Sequence, residues 1–92
     1  MLILVSYDIP NDRRRTKIAK TLRDYGERVQ YSVFECNLTK KQLQTMVSEL
    51  KKLVNTDKDS VRIYPLRADS AAQIQVLGIA KLPADDPDIY IV

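Results

Sequence analysis

The chain of 92 residues carries 15 Lys and Arg against 12 Asp and Glu, for a net charge of +3, with a single cysteine and no histidine. That length makes one domain, large enough to bury a core yet small enough that association with a second copy adds stability, so a homodimer is expected. Cys36 alone closes no internal disulfide and builds no zinc site, and the absence of histidine removes Ser-His-Asp, Cys-His and paired-histidine chemistry, which leaves carboxylates, hydroxyls and a hard metal ion for any hydrolysis.

The first residues have neither a basic start nor a cleavage signal, and their apolar run is far shorter than the roughly 20 residues a membrane helix needs. A cytoplasmic protein without membrane contact is expected. The stretch Leu2 to Pro10 opens on an apolar run that reads as a strand buried on both faces in the middle of a sheet. Asp8 follows directly, and a carboxylate there must be paired, hydrogen-bonded, metal-bound or lifted to a solvated strand end. A turn-forming or helix-capping acid is the plain alternative.

From Asp12 to Tyr25, Ile18, Ala19, Leu22 and Tyr25 recur at helical spacing, Asn11 or Asp12 caps the start, and Gly26 stands where a left-handed C-terminal cap is expected. Arg13, Arg14, Lys17, Lys20 and Arg23 make the rest of this helix positive, which is either a nucleic-acid surface or a solvated face. Arg15 differs. It lies three residues before Ile18 and seven before Leu22, on the inward stripe, which aims its guanidinium toward the neighbourhood of Asp8.

Between Glu27 and Leu38 the alternation changes phase: Val29, Tyr31 and Val33 share one face, whereas Phe34, Cys36 and Leu38 continue on the other. A period-two pattern shifts by one residue only at a bulge or turn, so the segment divides into two strands joined by a tight turn near Tyr31 and Ser32. Thr39 to Gln42 fits a capping box, and Leu43, Met46, Val47, Leu50, Leu53 and Val54 trace a second helix. A polar loop, Asn55 to Ser60, precedes a strand marked by Val61, Ile63 and Leu66, which Pro65 limits or places at an edge, with Arg62 and Arg67 flanking.

Asp69 to Gln73 suits one helical turn and Ile74 to Ile79 a short strand. An acidic loop with Asp85, Asp86 and Asp88 then leads to Ile89-Tyr90-Ile91-Val92, four strand formers expected to add to a sheet edge of this chain or of a partner. The order is strand, helix, strand, strand, helix, strand. It predicts an α+β, ferredoxin-like (βαββαβ) antiparallel sheet with two helices on one face and an extra C-terminal strand, residues 1–80 forming the domain and 81–92 a tail. The open face needs a cover, and a second sheet is a natural one.

With Tyr7-Asp8 after the buried strand, the Arg-rich helix start, the run Arg28-Val29-Gln30-Tyr31-Ser32-Val33-Phe34-Glu35, and Asp59-Ser60-Val61-Arg62-Ile63-Tyr64, the chain resembles the small CRISPR-associated adaptation proteins. These are the second of the two near-universal spacer-acquisition proteins, also described as CRISPR-associated endoribonucleases. The resemblance implies a homodimer with two copies of Asp8 facing each other, a magnesium ion held by them, and cleavage of single-stranded RNA or double-stranded DNA. It also implies a CRISPR integrase partner and a role in holding DNA. Carried over, Asp8 is the metal ligand, Arg15 and Arg28 join it as catalytic residues, and Tyr7, Ser32 and Phe34 are nucleic-acid contacts, to which the basic helix adds Arg13, Arg14 and Lys17. At Lys17 some relatives carry arginine, which puts bidentate phosphate contact there in question. A non-catalytic DNA-binding scaffold and a toxin-like stand-alone ribonuclease are the alternative readings.

Overall fold

Leu2–Asp8 forms the first strand, β1, in the computed structural model, which describes residues 1–78. Further elements follow as α1 (Asp12–Arg23), β2 (Gly26–Gln30), β3 (Val33–Asn37), α2 (Lys40–Leu53), β4 (Ser60–Leu66) and a short α3 (Ala68–Ala71). The sheet order is β2-β3-β1-β4 with every pairing antiparallel, so the expected ferredoxin-like α+β arrangement is present and β1 is central. β4 occupies an edge, which explains how its Pro65 is tolerated without a backbone donor.

Alternation along β1 decides which side chains enter the core. Ile3, Val5 and Tyr7 point to one face and are buried, together with Phe34 and Cys36 of β3, Ile18, Ala19 and Leu22 of α1, and Met46 and Leu50 of α2. Burying a side chain such as Ile18 or Phe34 contributes about 1.5–3 kcal/mol, so this single layer supplies most of the drive to fold. The opposite face carries Leu4, Ser6 and Asp8; the first two are half-buried and Asp8 is exposed. The expectation of a strand buried on both faces therefore holds only in part. At the other end of that face Leu2 is buried, sharing a cleft with Leu66 and with the buried Ala71 of α3.

Both helix starts are capped as their sequences indicate. The Asn11 side chain accepts from the Arg14 amide at 2.9 Å, and Thr39 with Gln42 forms the reciprocal capping box. The phase change in the middle of the chain is resolved twice over, by a turn at Tyr31-Ser32 and by a register shift between Arg28 and Gln30 in β2.

Gly26 corrects one expectation. It opens β2 and makes no left-handed cap; among the described residues the glycine with positive φ is Gly78, at 78°. What excludes a side chain at position 26 is close approach of β3: a Cβ there would collide with the Glu35 carbonyl oxygen and lie 2.7 Å from the Cys36 Sγ. A second correction concerns Ile74 to Leu77, which form no strand, since an alternating run becomes one only where a neighbour accepts its ladder. Ile79, the acidic loop and the terminal Ile89 to Val92 lie outside the described residues, as do residues 81–92 generally. The predicted consequence at β2 is that Gly26→Ala destabilises by about 1–3 kcal/mol, the usual range for overpacking. Urea unfolding checks this, and an unchanged midpoint would show that β2 moves aside freely.

Candidate functional site

Antiparallel pairing sets the surroundings of Asp8. Asp8 lies opposite Ser60 of β4, and Ser6 lies opposite Arg62, so one face of the sheet presents a carboxylate, two hydroxyls and a guanidinium. These side chains, with Tyr7, line an open hollow of about 240 Å³. Asp8 forms no ion pair with any described residue, and it is exposed, so its charge is available to an incoming cation.

Arg15 arrives near Asp8 but does not touch it. Its Nη1 donates to the Ile9 carbonyl at 2.9 Å and its Nη2 pairs with Asp12, which ties down the turn between β1 and α1. Arg28 lies opposite Phe34 in the ladder and places its guanidinium 5.5 Å from the centre of that ring, on the face the helices cover. Arg15, Arg23 and Arg28, with Thr16, Tyr31 and Ser32, line a separate cleft of about 270 Å³ between α1 and the turn joining β2 to β3. Asp8 is absent from its lining. The residues expected to act together are thus divided between two surfaces.

Phe34 is fully buried and Tyr7 nearly so, their rings stacked with centroids 6.2 Å apart, so both serve the core in this chain. Tyr7 also fixes the turn, its amide donating to the Ser32 carbonyl at 3.0 Å and its hydroxyl reaching the Tyr31 carbonyl at 3.5 Å. Arg13 and Lys17 are exposed on α1. Arg14 is committed elsewhere: its guanidinium makes two bonds, at 2.8 and 2.9 Å, to the carboxylate of Asp59, a side chain shut off from solvent.

Sequence reasoning passed over Asp59 and Arg62 as site residues. Asp59 also accepts from the Asn55 amide at 2.9 Å, and it immediately precedes Ser60, the cross-strand partner of Asp8. The signal for Arg62 was the two-residue period of β4, since Val61 and Ile63 claim the core face and leave Arg62 to the other. Glu27 and Glu35 face each other across β2 and β3, and the Glu35 carboxyl is raised above its ordinary value by burial first and by Glu27 second. Burial pushes the Cys36 thiol up to about 11, as suits a packed, unreactive cysteine.

A magnesium ion takes oxygen ligands, keeps several waters, and is commonly held by one or two carboxylates together with substrate phosphate. Asp8 with the hydroxyls of Ser6 and Ser60 is compatible with that donor set as half of a site. Among the described residues no group of three metal-ligating side chains forms, so Asp8 is a single carboxylate with two hydroxyls beside it.

The fold and the hollow together define a small ferredoxin-like protein with an acidic group at the end of its central strand. A family model described as CRISPR associated protein Cas2 matches residues 1–74. The chain is 46% identical over 77 residues to a CRISPR-associated endoribonuclease Cas2 of Synechocystis, with 84% of each chain covered. The crystal structure of Streptococcus pyogenes Cas2 superimposes with a TM-score of 0.73 at 34% identity, covering 85% of this chain and 100% of that one. A chain from a partial Cas6-RT-Cas1–Cas2 complex gives 0.66 at 30% identity, with coverages of 90% and 96%. The chain belongs to the Cas2 family. No helix among the described residues is long and apolar enough to cross a membrane.

The Arg14–Asp59 pair carries a pH signature. Hydrogen bonding from Arg14 holds the Asp59 carboxyl below its ordinary value, so the pair's contribution to stability is complete above about pH 4 and is lost as pH falls through the lowered folded value. Asp59→Asn, which does not titrate, is expected to be less stable than the wild type at neutral pH and to show a flatter acid limb. Chemical unfolding followed from pH 7 to pH 2 tests this; parallel curves for the two proteins would remove the pair as the cause.

Proposed function

We propose that this chain is a metal-dependent endonuclease of the CRISPR adaptation machinery that hydrolyses phosphodiester bonds in single-stranded RNA or double-stranded DNA. The observation that carries the reading is the exposed, unpaired Asp8 at the end of the central strand, set among hydroxyls in an open hollow. The Synechocystis relative bears an endoribonuclease name, which supports the same chemistry here. The site is completed by a second copy: Leu4 and Val33 are half-buried on the open face and Tyr64 is exposed there, apolar area that a second sheet covers. Two copies of Asp8 would then hold the magnesium ion.

In this arrangement Asp8 would hold the ion, with the hydroxyls of Ser6 and Ser60 beside it as further oxygen donors. What the ion supplies when bound is neutralisation of charge on the scissile phosphate and a water of lowered pKa, which answers the lack of histidine. Arg15 shapes the turn after β1, which keeps Asp8 at the rim of the hollow.

A second reading is favoured by the basic cleft of Arg15, Arg23 and Arg28 and by the exposed Arg13, Lys17 and Lys20 on α1. These lie apart from Asp8 and suit the phosphate backbone of a duplex, so the dimer also holds DNA for an integrase partner. The presence of a related chain in a complex named for Cas1 and Cas2 supports that assembly. The two roles use different surfaces and are compatible.

Cleavage of end-labelled RNA and duplex DNA, with magnesium or with EDTA, separates them. Asp8→Asn is expected to lose roughly a hundredfold or more in rate, the several kcal/mol that metal-assisted charge stabilisation provides. It is also expected to weaken manganese binding measured by calorimetry. Equal cutting by wild type and mutant would end the nuclease reading. For the scaffold role, duplex affinity should fall steeply with salt, and neutralising each phosphate-binding cation among Arg13, Lys17, Lys20 and Arg23 should lower the log–log slope by about 0.9. A slope unchanged after neutralising all four would overturn the electrostatic account.

A further inference from the structure

Arg62 has no assigned task, yet its position is specific. It lies opposite Ser6, and Asp8 lies opposite Ser60, so Arg62 and Asp8 are diagonal neighbours on the same face of the β1–β4 ladder. Diagonal positions in an antiparallel pair stand roughly 7–8 Å apart, too far for these two side chains to neutralise each other without reaching and near enough for both to meet one bound group. Consistent with this, neither ion pair among the described residues involves Arg62 or Asp8. Both line the same hollow with Ser6 and Ser60.

The other arginines near β1 are engaged or face away. Arg14 is held by Asp59, Arg15 by the Ile9 carbonyl and Asp12, and Arg28 sits over the Phe34 ring on the helix-covered face. Arg62, by contrast, is placed on the Asp8 face by the ladder itself and lines the hollow. Its planar fork matches two oxygens of a phosphate, and the hollow it lines with Ser6, Asp8 and Ser60 holds about 240 Å³.

We propose that Arg62 is the phosphate-binding residue of the Asp8 site: it holds the phosphate of a nucleic-acid strand beside Asp8, a role that neither Arg15 nor Arg28 fills. The inference rests on the nuclease reading for its catalytic consequence, but phosphate binding by Arg62 stands independently of it. Asp59 supports the arrangement from behind, because its bonds to Arg14 and to the Asn55 amide fix the start of β4, which carries Ser60 and Arg62.

The test measures binding and cleavage in one set of variants. Fluorescence anisotropy with a short labelled RNA strand in EDTA, over a range of salt, reads how many phosphates the protein neutralises. Arg62→Ala should lower the log–log slope by about 0.7, the value for one phosphate of a single strand, and Arg62→Lys should largely keep it. With magnesium, Arg62→Ala should cut about tenfold or more slowly, and Arg62→Lys should recover only part of that rate because the bidentate bond is gone. Lys52→Ala, on an exposed turn of α2, serves as the surface control, and circular dichroism confirms that each variant is folded. A wild-type salt slope in folded Arg62→Ala overturns the proposal. Absence of cutting by the wild type defeats the nuclease reading instead, and the slope still decides Arg62.

Discussion

Everything in this molecule hangs on the alternation of β1 between two neighbours. With β3 on one side and β4 on the other, the strand has no freedom to slip, because a shift of one residue would carry Ile3, Val5 and Tyr7 out of the core and Leu4, Ser6 and Asp8 into it. The cost of exposing three large apolar side chains while burying a carboxylate is many kcal/mol by any area or desolvation scale. The position of Asp8 is thus enforced by the packing of residues that never touch it. A strand that ends in an acid at a fixed depth is a good foundation for a metal or phosphate site, since the backbone rather than a loop sets the geometry.

The charged groups show how one residue type is put to different uses by its surroundings. Arg14 makes a two-point bond with Asp59 that ties the start of α1 to the loop before β4. Arg15 braces the preceding turn through a carbonyl. Arg28 rests on an aromatic face. The resulting division leaves the helix side of the protein strongly basic and the open sheet face mixed, with Asp8 and Arg62 together and the Glu27–Glu35 pair further along. The first surface carries the positive charge that a polyanion backbone requires, whereas the second has the oxygen donors that a hard cation requires.

Much of the architecture was readable in advance, for reasons that can be stated residue by residue. The Thr39–Gln42 box and the Asn11 cap work through bonds between neighbours three residues apart, so sequence contains all the information needed. The phase change before Phe34 required a break, and the turn at Tyr31-Ser32 with its register shift is that break. Gly26 was misread because a glycine after a helix has two explanations, backbone handedness and close approach, and only the second involves a strand distant in sequence. Ile74 to Leu77 alternate well enough for a strand, but pairing depends on an available edge, which no local pattern reports.

The site was legible in part. Asp8 stood out because a carboxylate directly after an apolar run needs a reason, and the inward phase of Arg15 correctly brought it to the next residue, Ile9. Arg14 and Lys17 were indistinguishable on the helix surface until Asp59, 45 residues further on, claimed one of them. Sequence alone determined the four strands and two long helices of the sheet-and-helix layer, the two helix N-caps, the centrality of β1 and the presence of an acid at its end, because these follow from local periodicity and from the exclusion of apolar side chains from water. Only the tertiary structure decided which arginine accompanies that acid: partners of a long, flexible cation are chosen by which strands lie side by side and which face each residue occupies, and that information exists only once the sheet has formed.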